Sequence, residues 1–462
     1  MRSYLSPLDA TFLEIEEADD ANHMHVGWTM VFDPVPGGGR PSLEKLRDHA
    51  RSRLEDASIL RRHLSMPTVG SLSLPVWVPD PAFDVGQLIR GATLPQPGGE
   101  EELANWLGDY FSVRLDRSLP LWETVLLEGL EGGRWAIVCK LHHCLVDGVS
   151  GLNLIASMLD AQPEPEEGAT TLAQLVVSLG EERNRGVLAR LRGVVGEAIS
   201  GGIDAAVDPH DVTRIISDSR ATTARLVREE PERAPVTSLN RPIGTGRRLA
   251  AADVPLNELK RVKGVLGGTV GGVVMAAAAG GLRSLFEQRG EQVDRVRAVV
   301  PISLSHATES LALGNGPSSL LLDLAIAEED PVRRYRTISA ASSELKSAGD
   351  SVVGKLAVEL SDMSPPVVQC VMARLSFTPG LFNVSIANGP AAPITLYSLG
   401  APLRRAIPVV PIFSGQALSV AAVGYDGRVF FGLNGDRDSV PDLDLVRAGI
   451  EETLHDLSSV AA

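Results

Sequence analysis

The stretch that decides the fold runs from Arg134 to Asp160, RWAIVCKLHHCLVDGVSGLNLIASMLD. Its first part, 134–141, has the β-branched and aromatic content of a strand. Its last part, 147–160, reads as a helix beginning at an Asp-Gly turn, so the segment is a strand–turn–helix unit of an α/β protein. Between them stand two adjacent histidines, His142 and His143. If the strand alternation carries through them, their rings point to opposite faces, one toward a packed interior and one toward an open channel. Asp147 is placed to cap the helix or to hold a basic partner, and Gly148 lets the backbone turn.

A neutral imidazole can take the proton of a hydroxyl as that hydroxyl attacks a carbonyl, a role worth roughly 10²–10⁴-fold in rate. No serine or cysteine nucleophile is needed when the acceptor attacks directly, which is the arrangement of acyl transfer from a thioester to an alcohol. The plainer reading leaves a hydrogen-bonded histidine at a strand end, an N-cap aspartate and a turn glycine. A metal site would also use His and Asp, but neighbours on opposite strand faces cannot easily share one ion, and no third cluster of ligands stands out. No metal is expected.

Moving outward, "HVGWTMVF" (25–32) is strand-like, and "SLEKLRDHARSRL" (42–54) and "EELANWLGDYFSVRL" (101–115) have helical spacing. The texture changes at 161–237, where "AQPEPEEGATT" is a linker. There "ERNRGVLARLRGVVGEAI" (182–199) is either an inter-domain helix with a solvated arginine face or one lying on a membrane surface. A second globular region fills 238–462. In it, "GVLGGTVGGVVMAAAAGGL" (264–282) carries no charge and is long enough to span a bilayer, yet it is glycine- and alanine-rich and short of Leu, Ile and Phe. A closely packed buried helix starting near Thr269 is expected instead. Residues 375–403 hold no charged side chain and read as strands and loops between two domains, walling an apolar channel.

The 462 residues suit two domains, 1–160 and 238–462, joined by the 161–237 segment. A net charge of −15 excludes nucleic acid as a partner and bulk-charge attraction to anionic lipid. Three cysteines make no disulfide framework and suit a reducing cytoplasm. No secretory signal opens the chain.

These residues carry a resemblance. "HHCLVDG" matches the HHxxxDG motif of the chloramphenicol-acetyltransferase-like, CoA-dependent acyltransferases, and the rest resembles their bacterial wax ester synthase/diacylglycerol acyltransferase branch. "SPLDATFL" (6–13), "HMHVG" (23–27), "LPLWETVLLEGLEGGRWAIVCKLHH" (119–143), "LNRPIGTGRRLAAADVPLNELK" (239–260), "GGTV" (267–270), "VPIS" (300–303), "GN" (314–315), "FNVSIAN" (382–388) and "GDRDSVPD" (435–442) extend it along nearly the whole chain. The resemblance implies an α/β fold of two chloramphenicol-acetyltransferase-like domains, each a mixed sheet with flanking helices, around a central channel. It implies acyl-CoA as co-substrate without a further cofactor, and diacylglycerol or a long-chain alcohol as acceptor. His143 would be the general base and His142 structural, with Asp147 and Gly148 shaping the loop. Asn315, Asn388, Arg247 and Lys260 are the candidates for substrate contacts. The implied location is cytoplasmic, peripheral at the inner membrane or on lipid inclusions.

The chain departs from the family pattern at Gly271 and Gly272, at Ser305 and His306, and at Gly389. Three alternatives accompany the main reading. A histidine–aspartate acyltransferase would use the H-x-x-x-x-D spacing of His142 and Asp147. A related branch would act on another hydroxylated lipid. A non-catalytic lipid-binding protein would keep the same fold.

Overall fold

The computed structural model describes residues 3–54, 58–65, 75–145, 158–164, 233–301, 319–349 and 380–461. After the short strand β1 (Ser3–Tyr4), Ser6 caps helix α1 (Pro7–Ala18) by accepting the Asp9 N–H at 3.0 Å. A proline in the first turn costs nothing there, because that N–H has no intrahelical partner. Strand β2 (His25–Phe32) follows, then α2 (Leu43–Leu54), which buries Leu46, Ala50 and Leu54 along one stripe. Strands β3 (Arg62–Ser65) and β4 (Val76–Pro79) form a small sheet with β1, and α3 (Val85–Leu88), β5 (Ile89–Thr93), α4 (Glu100–Phe111), β6 (Trp122–Glu128) and β7 (Trp135–His142) complete the first half.

The second half begins with β8 (Arg247–Pro255), α5 (Leu256–Leu266) and α6 (Val270–Gln288), followed by β9 (Val296–Pro301), β10 (Ser319–Leu324) and α7 (Pro331–Gly349). It closes with β11 (Val384–Ala392), β12 (Tyr397–Ser398), β13 (Ala401–Val409), β14 (Leu418–Tyr425), β15 (Arg428–Asp436) and α8 (Leu443–Val460). Two six-stranded mixed sheets result, ordered β12-β13-β2-β7-β6-β5 and β10-β9-β11-β14-β15-β8. β5–β6 in the first sheet and β9–β11–β14 in the second are parallel; the other pairings are antiparallel.

The expected boundary at 238 does not divide the strands. β12 and β13 come from the C-terminal part of the chain but extend the first sheet, β13 pairing with β2. The uncharged stretch that sequence placed between two domains therefore leaves the second sheet at β11 and enters the first at β12. Where β13 crosses β15, backbone meets backbone. A Cβ built on Gly432 would lie 1.7 Å from the Pro408 carbonyl oxygen, so only glycine fits.

Alternation decides which layer each side chain joins. On β7, Trp135, Ile137 and Leu141 enter the core shared with α1 and α2, while Ala136 and Val138 enter the one shared with α4. The uncharged helix expected from Thr269 is α6, capped by the Thr269 hydroxyl, which accepts the Gly272 N–H at 3.0 Å. Among the described residues it is the one helix long and apolar enough to cross a membrane, and 72% of its apolar window is buried within the protein. Its small residues let α8 approach closely: a Cβ on Gly449 would come 2.9 Å from the Gly281 Cα. The proposed linker helix at 182–199 lies outside the described residues.

Candidate active site

The site is built where β7 ends. His142 is its last residue and lies directly opposite His25 of β2, so two imidazoles meet across the ladder, their ring centroids 6.5 Å apart. The chain then turns through His143, Cys144 and Leu145. Three backbone bonds hold this turn: His142 N–H to Leu121 O at 3.0 Å, His143 N–H to Met24 O at 2.7 Å and Leu145 N–H to His142 O at 2.9 Å.

α1 supplies the wall. Phe12 and Glu16, four residues apart, lie on one helix face. The His143 ring stacks on Phe12 with centroids 4.1 Å apart and planes 21° apart, while His142 Nε2 sits 3.3 Å from a Glu16 carboxylate oxygen. The two rings thus meet different side chains of α1, the strand ending at His142 and the turn carrying His143 to Phe12.

His142 is fully enclosed, 1% exposed. Its Nδ1 accepts the Cys144 N–H at 3.1 Å, which assigns the ring proton to Nε2, the nitrogen facing Glu16. Glu16 is itself buried, and Arg117 from the loop after α4 donates to it at 2.6 Å. Burial pushes the Glu16 carboxyl up, but the His142 ring facing it at 3.3 Å, with His25 and Arg117 beside it, outweighs burial and holds the group well below the usual carboxylate range. Arg114 clasps the end of α1 through the carbonyls of Glu16 and Asp19, at 2.5 and 2.7 Å.

Two further histidines from "HMHVG" complete the cluster. Burial, with Arg247 nearby, pushes His23 down to about 4; burial and Lys140 push His25 well below its ordinary value. Both are neutral at physiological pH. Lys140 is 0% exposed and donates to Glu123 at 2.6 Å and to the carbonyls of Tyr110 and Val113 at 3.0 and 2.8 Å. Burial drives the Cys139 thiol up to about 11 and the Cys144 thiol well above its ordinary range, so neither is a thiolate near neutral pH. Among the described residues no group of three or more His, Cys, Asp or Glu is arranged to hold a metal.

The remaining sequence candidates scatter. Asp147, Gly148, Asn315, Ser305 and His306 lie outside the described residues. Arg247 is 2% exposed, and its guanidinium donates to the carbonyls of Gly244 at 2.8 Å, Gly246 at 3.1 Å and Ala21; it is an internal cation rather than a surface phosphate contact. Lys260 is exposed on α5. Asn388 stands exposed on β11 beside the departure at Gly271, where a Cβ would come 3.1 Å from its Nδ2. Sequence reading missed Phe12, Glu16 and Arg117; the four-residue spacing of the first two in the N-terminal helix was the available signal.

The chain is similar to known proteins along its length. A model of the wax ester synthase/diacylglycerol acyltransferase catalytic domain matches residues 5–274, and one of the family's C-terminal domain matches 313–458. A Mycobacterium tuberculosis protein named as a diacylglycerol O-acyltransferase is 33% identical over 98% of this chain and 99% of its own length. A second from that organism, named likewise, is 28% identical over 99% of this chain and 96% of its own. The solved wax ester synthase/diacylglycerol acyltransferase of Marinobacter aquaeolei superposes with a TM-score of 0.70 at 26% identity, covering 99% of this chain and 100% of that one. A starter condensation domain of rhizomide synthetase, solved with C8-CoA, shares the fold at a TM-score of 0.59 and 12% identity, over 100% of this chain and 94% of that one.

Proposed function

This chain belongs to the wax ester synthase/diacylglycerol acyltransferase family and is an acyltransferase, and from that premise we propose that it moves a long-chain acyl group from acyl-CoA to a lipid hydroxyl, with His143 as general base. The names of the mycobacterial relatives favour diacylglycerol as acceptor over a long-chain alcohol. The supporting observation is the division of labour between the two histidines. His142 is sealed inside the fold, its Nδ1 accepting the Cys144 N–H and its Nε2 facing a Glu16 carboxylate oxygen at 3.3 Å, so the base role falls to the half-buried His143.

In this reading the acceptor O–H gives its proton to the His143 ring as the oxygen attacks the thioester carbon. The tetrahedral intermediate collapses, the carbon–sulfur bond breaks, and the departing CoA sulfur takes the proton back from the imidazolium. Direct transfer needs no nucleophile from the protein, and burial keeps the Cys139 and Cys144 thiols protonated. Phe12 fixes the plane of the base, and Glu16 and His142 hold the turn that carries it. The lipid substrates put this work at the surface of the inner membrane or of a lipid inclusion.

The test is release of CoA thiol from palmitoyl-CoA by purified protein, with dioleoylglycerol and hexadecanol offered separately. Acceptor-dependent release that drops at least a hundredfold in His143→Ala supports the reading. Full turnover in that variant, with His142→Ala inactive, would move the chemistry to the first histidine.

A further inference from the structure

Two arginine-bearing segments, "GTGRR" (244–248) and "GDRD" (435–438), take no part in the histidine chemistry. The antiparallel register of β8 and β15 sets them side by side, Arg247 opposite Asp436 and Arg248 opposite Gly435. The Arg437 N–H closes the end of this ladder on the Gly246 carbonyl at 3.1 Å. Helix α4 of the first half lies across that end, which the missing side chain of Gly108 permits: a Cβ there would stand 2.6 Å from the Arg247 carbonyl oxygen. Between helix and ladder remains a cleft of about 300 Å³, lined by Asn105 and Asp109 of α4 and by Arg247, Arg248 and Arg437. Clefts at the seam between two halves of a chain are favoured places for ligands.

Three guanidinium groups line the cleft against one carboxylate. Arg247 turns its side chain inward onto carbonyls and lends only its charge. Burial outweighs the help of Asp436 and, with Arg114 nearby, brings the Arg247 guanidinium down to about 10; an anion in the cleft would offset that. Arg248 and Arg437 reach solvent. Arg248 donates to Asp444 at 2.9 Å and Arg437 to Asp109 at 2.5 Å, but these carboxylates are 56% and 73% exposed, and Asp444 is shared with Arg447 at 3.4 Å. Exposed pairs of this kind contribute little and exchange readily, whereas a phosphate offers each arginine a bidentate, charge-assisted partner. The Asn105 amide adds a donor from the α4 side.

The cleft is tied to the catalytic turn. The Arg247 N–H donates to the Ser112 hydroxyl at 2.8 Å and its guanidinium to the Ala21 carbonyl. Three residues beyond Ala21, the Met24 carbonyl accepts the His143 N–H at 2.7 Å. We propose that this cleft is a phosphate site. The phosphate is either one carried by the acyl-CoA donor, whose nucleotide end stands far from its sulfur, or a free phosphate acting on the enzyme from outside the reaction. The first source rests on the acyltransfer reading; the site itself does not.

Arg248→Gln combined with Arg437→Gln removes both solvent-facing cations, and Asp109→Asn removes the competing carboxylate. Adenosine 3′,5′-bisphosphate and inorganic phosphate are titrated by calorimetry at low ionic strength, and thermal unfolding checks that each variant is folded. The parent should bind at least one probe, the double variant about tenfold or more weakly, and Asp109→Asn more tightly than the parent. Palmitoyl-CoA and palmitoyl-dephospho-CoA, each offered with dioleoylglycerol, separate the sources. A donor 3′-phosphate in the cleft raises KM for palmitoyl-CoA about tenfold in the double variant, with kcat and the dephospho substrate little changed. A rise in both KM values places the donor's diphosphate there instead. A free phosphate leaves both KM values at the parent's, while added inorganic phosphate changes the rate of the parent and not of the double variant. A folded parent that binds neither probe, or folded variants that bind both as the parent does, overturn the proposal. A parent that binds the bisphosphate, loses it in the double variant and transfers no acyl group keeps the site and overturns the acyltransfer reading.

Discussion

Removing the Glu16 carboxylate should cost both stability and turnover, by amounts the site allows us to work out. Glu16→Ala deletes the acceptor of two Arg117 hydrogen bonds, at 2.6 and 3.2 Å, and the oxygen facing His142 Nε2. Breaking a fully buried ion pair costs about 3–5 kcal/mol. Arg117, however, is 29% exposed and keeps Glu17 at 2.7 Å, so it is not left without a counter-charge. The expected loss is therefore nearer 2 kcal/mol, about one charge-assisted hydrogen bond. With its Nε2–H unheld, His142 grips the Cys144 N–H less firmly and the turn carrying His143 loosens. A base misplaced by a fraction of an ångström should lower kcat by roughly 10–100-fold with KM little changed. Glu16→Gln restores an oxygen toward His142 but not the charge toward Arg117, so it should recover most of kcat and little of the stability.

The pH dependence has a definite sign. A carboxyl held below its ordinary value of 4.5 stabilises the fold above that value and loses the contribution as pH falls below it. The stability gap between parent and Glu16→Gln should therefore be full at pH 6 and shrink in acid. Thermal and urea unfolding across pH, with kcat measured on the same preparations, decide the matter. Equal kcat losses in Ala and Gln variants, or a gap that widens in acid, would refute this account of the turn.

Three further outcomes follow from packing and burial. Gly432→Ala drives a Cβ into the Pro408 carbonyl where the sheets cross, and should cost about 3 kcal/mol in denaturation; a change within 0.5 kcal/mol would mean the crossing is looser than described. Lys140→Met strands the carbonyls of Tyr110 and Val113 and takes a partner from Glu123, for a loss of about 3 kcal/mol, which unfolding by urea measures. Cys139 should react slowly with iodoacetamide in the native protein at pH 7.5 and readily on unfolding, as peptide mass mapping would show; rapid native labelling would contradict its raised pKa.

Local patterns carried much of the fold. The strands at 25–32 and near 134–141 appear as expected, because their β-branched and aromatic residues suit a pleated, buried surface. The helix from Thr269 was legible because its uncharged run has a hydroxyl cap at the start and small residues suited to a close neighbour. What escaped is what distance along the chain conceals. Nothing in "APLRRAIPV" says that it pairs with "HVGWTMVF" more than 360 residues earlier. The contact of Phe12 with His143 also joins residues more than a hundred positions apart.

The placement of β13 beside β2 also bears on how the chain is made. Ribosomes add on the order of 5–20 residues per second, so the roughly 270 residues between His142 and Val409 take about a quarter of a minute to a minute to emerge. Through that interval the nascent first sheet presents β2 as an open, apolar edge, the kind of surface on which chains aggregate. Its last neighbour arrives only near the end of synthesis. Fragments ending before Ala401 should collect in the insoluble fraction, and chaperones that shield nascent strands should govern the yield of full-length enzyme.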